Sequence, residues 1–171
     1  MSPEDLLKRL DQLGLAYQNT HHVALKTVKD SKKVQHQFLS SKEGGGHIKN
    51  LYLRDRKKRN YLIVAEQDQE INLKELSRTI GATNLSFGSA DRLMEHLGVL
   101  PGAVTPLSMI VGVEKGVTLY LDETLQGCKQ IYMHPMVNTQ TTAMSPKDLE
   151  IFLNSIGCTY NWISLTELNT S

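Results

Sequence analysis

Cysteine is scarce. The two thiols, Cys128 and Cys158, stand apart without CxxC spacing, so a disulfide framework, a redox pair or a cysteine-ligated zinc site has no basis in the sequence. Both read as buried free thiols. Long apolar runs are also missing: none approaches the roughly 18 residues that a membrane-crossing helix needs. The first residues read as an acidic amphipathic helix and not as a charged start followed by an apolar signal segment. The expectation is a cytoplasmic protein with no membrane partner. Nor is there an excess of one charge. Nineteen Lys and Arg against 18 Asp and Glu leave a formal net charge of +1, so no general attraction to nucleic acid is expected and DNA is not an expected partner. Any such binding has to come from local patches.

Several chemical signatures are absent as well. The histidines at 21, 22, 36, 47, 96 and 134 form no HExxH or other ligand spacing, and metal centres need three or four converging groups. No metal and no cofactor are expected. No GxSxG elbow surrounds a serine. The triplet Gly44-Gly45-Gly46 is not followed by Gly-Lys-Ser/Thr and precedes a strand-like segment, whereas a phosphate loop follows a strand and opens a helix. Three adjacent glycines cost too much chain entropy for a regular element. They read as a hinge or lid connection.

What is present is the pattern of a mixed α+β protein. The 171 residues, 40% of them hydrophobic, suffice for one compact domain over 1–171 with a sizeable core. Ser2-Pro3-Glu4-Asp5 is a helix start, with a capping hydroxyl, a proline suited to the first position and acids at the positive end of the dipole. Leu6, Leu7, Leu10 and Leu13 line one face of that helix, and Gly14 is placed to end it. Residues 15–25 fit a short strand, and a polar helix is expected over 28–39. Segments 47–53 and 60–66 form an antiparallel hairpin around the basic connection 54–59. Helices are expected over 73–80 and 90–97. Apolar stretches follow at 107–113, 117–121 and 129–133, and Ser145-Pro146-Lys147-Asp148 opens a last helix reaching Ile156.

Three segments carry candidate chemistry. Lys49 lies inside an apolar strand, between Ile48 and Leu51-Tyr52-Leu53. It is either an outward-facing residue of a half-exposed strand or an ammonium held for an anionic or polar ligand, because an uncompensated buried ammonium is costly. Pro101-Gly102-Ala103-Val104-Thr105-Pro106 is expected to join the 90–97 helix to a strand over 107–113, as a tight loop where backbone can approach a ligand closely. His134 stands at a strand end where Pro135 interrupts pairing, and it reads as structural or catalytic.

In order and spacing, His47-Ile48-Lys49-Asn50-Leu51-Tyr52-Leu53-Arg54-Asp55, the 101–106 loop and His134-Pro135-Met136-Val137-Asn138-Thr139 closely resemble the YbaK-like aminoacyl-tRNA editing domains. The likeness spans most of the chain and is greatest to free-standing deacylases related to the editing insertion of bacterial prolyl-tRNA synthetases. It implies a mixed, barrel-like curled β-sheet surrounded by helices, carrying a site for aminoacyl-ester hydrolysis. By that resemblance Lys49, Gly102 and His134 are the catalytic candidates, and Asn50, Ala103 and Asn138 the substrate contacts, with His134 and Asn138 on one strand. The implied reaction releases alanine from mischarged alanyl-tRNA(Pro), with cysteinyl- or seryl-tRNA deacylation, or a silent tRNA-binding module, as alternatives. Partners would be the acceptor end of tRNA(Pro) and, as further candidates, prolyl-tRNA synthetase or an elongation factor. The basic connection Arg56-Lys57-Lys58-Arg59, together with Lys26, Lys29, Lys32 and Lys33, would hold acceptor-stem phosphates, against the alternative of a solvated charged turn.

Overall fold

The computed structural model describes residues 1–25 and 27–165. The element order is α1 (Pro3–Gln12), β1 (Gln18–His21), α2 (Val28–Val34), β2 (Gly45–Arg54), β3 (Asn60–Glu66), α3 (Leu73–Ile80), β4 (Ser86–Phe87), α4 (Ala90–Leu97), α5 (Met109–Gly112), β5 (Thr118–Asp122), β6 (Gln130–Met133), β7 (Gln140–Met144), α6 (Pro146–Ser155) and β8 (Tyr160–Ile163). The eight strands form a curled mixed sheet in the order β1-β7-β6-β2-β3-β5-β8, with β4 on β2. β2 joins its two halves. Residues 45–47 run parallel to β6, whereas 48–54 pair antiparallel with β3.

The capping chemistry legible in the sequence is realised. The Ser2 hydroxyl accepts from the Asp5 amide at 3.1 Å and the Ser145 hydroxyl from the Asp148 amide at 3.1 Å, with a proline following each cap. Leu6 and Leu10 of α1 are fully buried, and Gly14 takes φ +71° just past the helix end. β3 shows strand alternation with both faces covered: Leu62 and Val64 enter the main core, while Tyr61, Ile63 and Ala65 enter a second cluster with Leu53, Leu76 and Leu85.

Four expectations need correction. Gly45 and Gly46 are not a hinge but the buried start of β2. A Cβ on Gly45 would lie 2.0 Å from the Leu39 carbonyl oxygen, and one on Gly46 3.1 Å from Cys128 Sγ, so close approach of backbone and not flexibility requires glycine there. The 28–39 helix stops at Val34 and passes into a 3-10 turn at 35–37, because Phe38 turns away to stack on Tyr132 at 4.6 Å. The 107–113 stretch is helical, a 3-10 turn over Pro106–Ser108 and then α5, since Thr105 caps it through the Leu107 amide. A short apolar run cannot distinguish a buried strand from a buried helix. Finally, the chain leaves β6 after Met133, so His134 and Asn138 both lie in the connection to β7 and share no strand.

Candidate active site

Strand β2 sets the site. Lys49 sits opposite Ala65 of β3 and is half-buried. Its ammonium donates to the backbone carbonyl of Gln69, which engages one of its three N–H bonds. Beside it opens a cleft of about 290 Å³ bordered by Lys49, Asn50 and Leu51 of β2, Ser31 of α2, Gly102 and His134. Residues distant in sequence thus meet at one cavity. Gly102 has φ +91°, a conformation that a side chain would strain, and the tight turn around it includes an Ala103 amide bond to the Leu100 carbonyl at 3.0 Å.

His134 is oriented by backbone. Its Nδ1 lies 2.8 Å from the Gln140 carbonyl oxygen, and because a carbonyl only accepts, Nδ1 carries the proton and Nε2 keeps its lone pair. Burial pushes the imidazole below its ordinary pKa against the opposing pull of that carbonyl, and the neighbouring His22 adds to the lowering. The two rings lie 6.3 Å apart. His22 contacts the Val23 carbonyl and the Thr141 hydroxyl, each at 2.7 Å. Sequence reading did not single out His22 or Thr141. Only the pairing of β1 with β7 brings them beside His134.

Adjoining the cleft through shared lining residues is a smaller recess of about 60 Å³, bordered by Leu25, Val34, Phe38, Ile48 and Met133 on its apolar side and by Gln35, His47, Tyr132 and Thr141 on its polar side. Leu25, Ser31, Asn50 and His134 border both cavities. Ala103 and Asn138 are not at this cleft. They line a neighbouring hollow of about 460 Å³ beside Met94 and Leu100, joined to the site region by the Leu25 amide donating to the Asn138 carbonyl at 2.9 Å.

The basic connection is remote. Five residues of extended strand, about 17 Å, separate Lys49 from Arg54, and Arg56–Arg59 lie beyond it, all exposed. Arg59 is committed locally. Its guanidinium meets the buried Asp55 carboxylate at 2.7 and 2.8 Å, and Asp55 also accepts from the Arg59 and Thr83 amides. Burial would raise the Asp55 carboxyl, but these donors outweigh it and hold it at about 2. On α2, Lys29, Lys32 and Lys33 are exposed, and Lys32 pairs with Asp68 at 2.9 Å, whereas Lys26 falls outside the described residues. Both cysteine thiols are pushed up by burial, Cys158 to about 11. Among the described residues no cluster of three His, Cys, Asp or Glu could hold a metal ion, and no helix is long and apolar enough to cross a membrane.

The cleft thus lies on the central strand of a curled mixed sheet. The chain belongs to the aminoacyl-tRNA editing domain family, whose model matches residues 18–152. It is 35% identical over 161 residues to the prolyl-tRNA editing protein ProX of Acetoanaerobium sticklandii, covering 94% of this chain and 95% of that one. It is 37% identical over 160 residues to prolyl-tRNA synthetase associated domain-containing protein 1 of Danio rerio, covering 90% and 84%. A solved structure described as a candidate trans-editing enzyme for prolyl tRNA synthetase shares the fold at TM-score 0.68, with 20% identity over 96% of this chain and 98% of that one.

Proposed function

We propose that the protein is a free-standing deacylase that hydrolyses alanine from mischarged alanyl-tRNA(Pro), acting in the cytoplasm on the tRNA acceptor end. The observation that carries this reading is the meeting of Lys49, Gly102 and His134 at one cleft with a small recess adjoining it. Hydrolysis of an activated ester passes through a tetrahedral oxyanion, and it needs donors at that oxygen, a positioned water and no protein nucleophile. Lys49 anchors the ribose and ester region of the terminal adenosine. The Gly102 amide faces the oxyanion, and the neutral His134 orients the water or substrate through Nε2. The recess takes the methyl side chain. A synthetase site sized for proline cannot exclude alanine strongly, but a second site can admit alanine and reject proline by bulk.

Arg56, Lys57 and Lys58 hold acceptor-stem phosphates at a distance from the chemistry, and the local bonding of Arg59 makes it the weakest contributor of the four. Prolyl-tRNA synthetase or an elongation factor would act as a delivery partner. The test is single-turnover deacylation of a panel of charged tRNAs. Alanyl-tRNA(Pro) is expected to react much faster than prolyl-tRNA(Pro), and equal rates would refute the specificity. Preference for cysteinyl- or seryl-tRNA would reassign the substrate, and tRNA binding without hydrolysis of any ester would mark a silent module.

A further inference from the structure

Among the described residues two buried side-chain polar atoms have no hydrogen-bond partner, Oδ1 of Asn50 and Nε of Arg54. Arg54 stands at the hairpin end of β2, next to β4. Asn50 stands in the active site, bordering both the cleft and the recess. A desolvated acceptor without a donor is expensive in a folded protein, and its persistence in a residue that borders two cavities points to a donor brought by a ligand that reaches that side chain.

The substrate geometry supplies one. The α-carbon of an aminoacyl ester is bonded to the ester carbonyl, the side chain and the amino group. With the carbonyl in the cleft at Gly102 and the side chain in the recess, the α-carbon must lie where the two cavities meet, and Asn50 borders both. We propose that Oδ1 of Asn50 accepts a hydrogen bond from the substrate's α-amino group, so that the site selects esters with a free amine. This rests on the aminoacyl-ester reading of the cleft. The ammonium and the neutral amine both donate, so the contact serves either protonation state. Asn50 thereby complements the recess: the recess measures side-chain bulk, and Asn50 verifies that the acyl group is an amino acid.

The probes are two non-hydrolysable adenosines, 3′-alanylamino-3′-deoxyadenosine and its 3′-propanoylamino counterpart, which differ only in that the second lacks the amine. Their binding to the full chain is followed by NMR titration. The amine-bearing probe should bind at least about tenfold more tightly, the yield of one well-placed hydrogen bond. Asn50→Leu should remove that difference by weakening the amine-bearing probe alone, while Asn50→Asp, which keeps an acceptor, should retain it. Equal affinity of the wild-type chain for the two probes, binding of neither, or an unchanged difference in folded Asn50→Leu would overturn the proposal. Loss of the difference in folded Asn50→Asp would also overturn it, by placing the donor end of Asn50 on the substrate. The wild-type comparison requires no variant to fold. Amine-dependent binding without hydrolysis of any charged tRNA would refute the deacylase reading and leave this one standing. Hydrolysis without amine dependence would do the reverse.

Discussion

Two cationic regions share strand β2, and they differ in what surrounds the charge. At the hairpin tip, Arg56–Arg59 put four basic residues in a row, all exposed, and the buried charge there is the carboxylate of Asp55. In the middle of the strand Lys49 stands half-buried, bonded to the Gln69 carbonyl, at a cavity also bordered by Asn50, Gly102 and His134. The tip is rich in charge and poor in converging groups, whereas the cleft has one lysine and several chain segments closing on it. Chemistry requires positioned groups in a restricted solvent, where electrostatic contacts are strong, and exposed charges on a turn are screened within about 10 Å at ordinary salt. Under the proposed function, the densest charge along the sequence and the reactive site are therefore different places.

The strongest way to break this contrast is Lys49→Ala. Single-turnover deacylation of alanyl-tRNA(Pro) is expected to fall by about a hundredfold or more, the loss of one charged transition-state contact, with circular dichroism and melting unchanged. Lys49→Arg should fail too, since a planar fork cannot replace a compact ammonium in a tight cleft. A near-normal rate in folded Lys49→Ala would move the active site elsewhere.

His134→Gln comes next, with an expected loss of about tenfold in the same assay, consistent with a positioning role. Its pH signature is distinct. Because burial lowers the folded-state pKa beneath the ordinary 6.5, the native state binds fewer protons than the unfolded chain between the two values. Stability from this group is thus fully present above about 6.5 and is lost as pH falls through the folded value. Melting curves of His134→Gln should show a shallower acid-side decline than wild type as pH falls below about 6.5, and parallel curves would mean that the imidazole is not buried neutral.

Asp55→Asn should show the opposite pattern, stability without chemistry. Removing a buried carboxylate that accepts from Arg59 and Thr83 is expected to cost about 2 kcal/mol in urea unfolding, while the deacylation rate of the folded fraction stays within about threefold of wild type. With its carboxyl held at about 2 instead of the ordinary 3.8, Asp55 contributes stability above about pH 3.8 that is lost as pH falls through about 2. A large rate defect in folded Asp55→Asn would link the hairpin tip to catalysis.

The smallest effect belongs to Lys57→Ala. A few-fold weakening of tRNA binding is expected at low salt, fading as salt rises, with the single-turnover rate at saturating enzyme unchanged. Salt-independent weakening would mean a specific contact in place of a general phosphate attraction.

Legibility followed the range of the interaction. Caps at Ser2 and Ser145, the hairpin of 47–53 with 60–66 and the helices at 73–80 and 90–97 could be read because each depends on residues close to one another in the chain. The triglycine was misread because Gly45 and Gly46 are fixed by the close approach of the Leu39 backbone and of Cys128, which only the folded chain brings against them, and the 107–113 run because a short apolar stretch reads alike as a buried strand or a buried helix. Lys49, Gly102 and His134 could be nominated singly. Their proximity, the parting of Ala103 and Asn138 into a neighbouring hollow, and the company of His22 and Thr141 could not.

The sequence by itself determined the local elements, the even charge balance and the anomaly of a lysine in an apolar strand, since composition, capping and periodicity act over short separations. Only the tertiary structure decided which loops reach that lysine, which glycines are steric and which histidine keeps a free lone pair. It did so because pairing β2 with both β3 and β6 fixes residues 85 positions apart, from Lys49 to His134 (134 − 49), at one cavity, and no local pattern encodes a contact of that range.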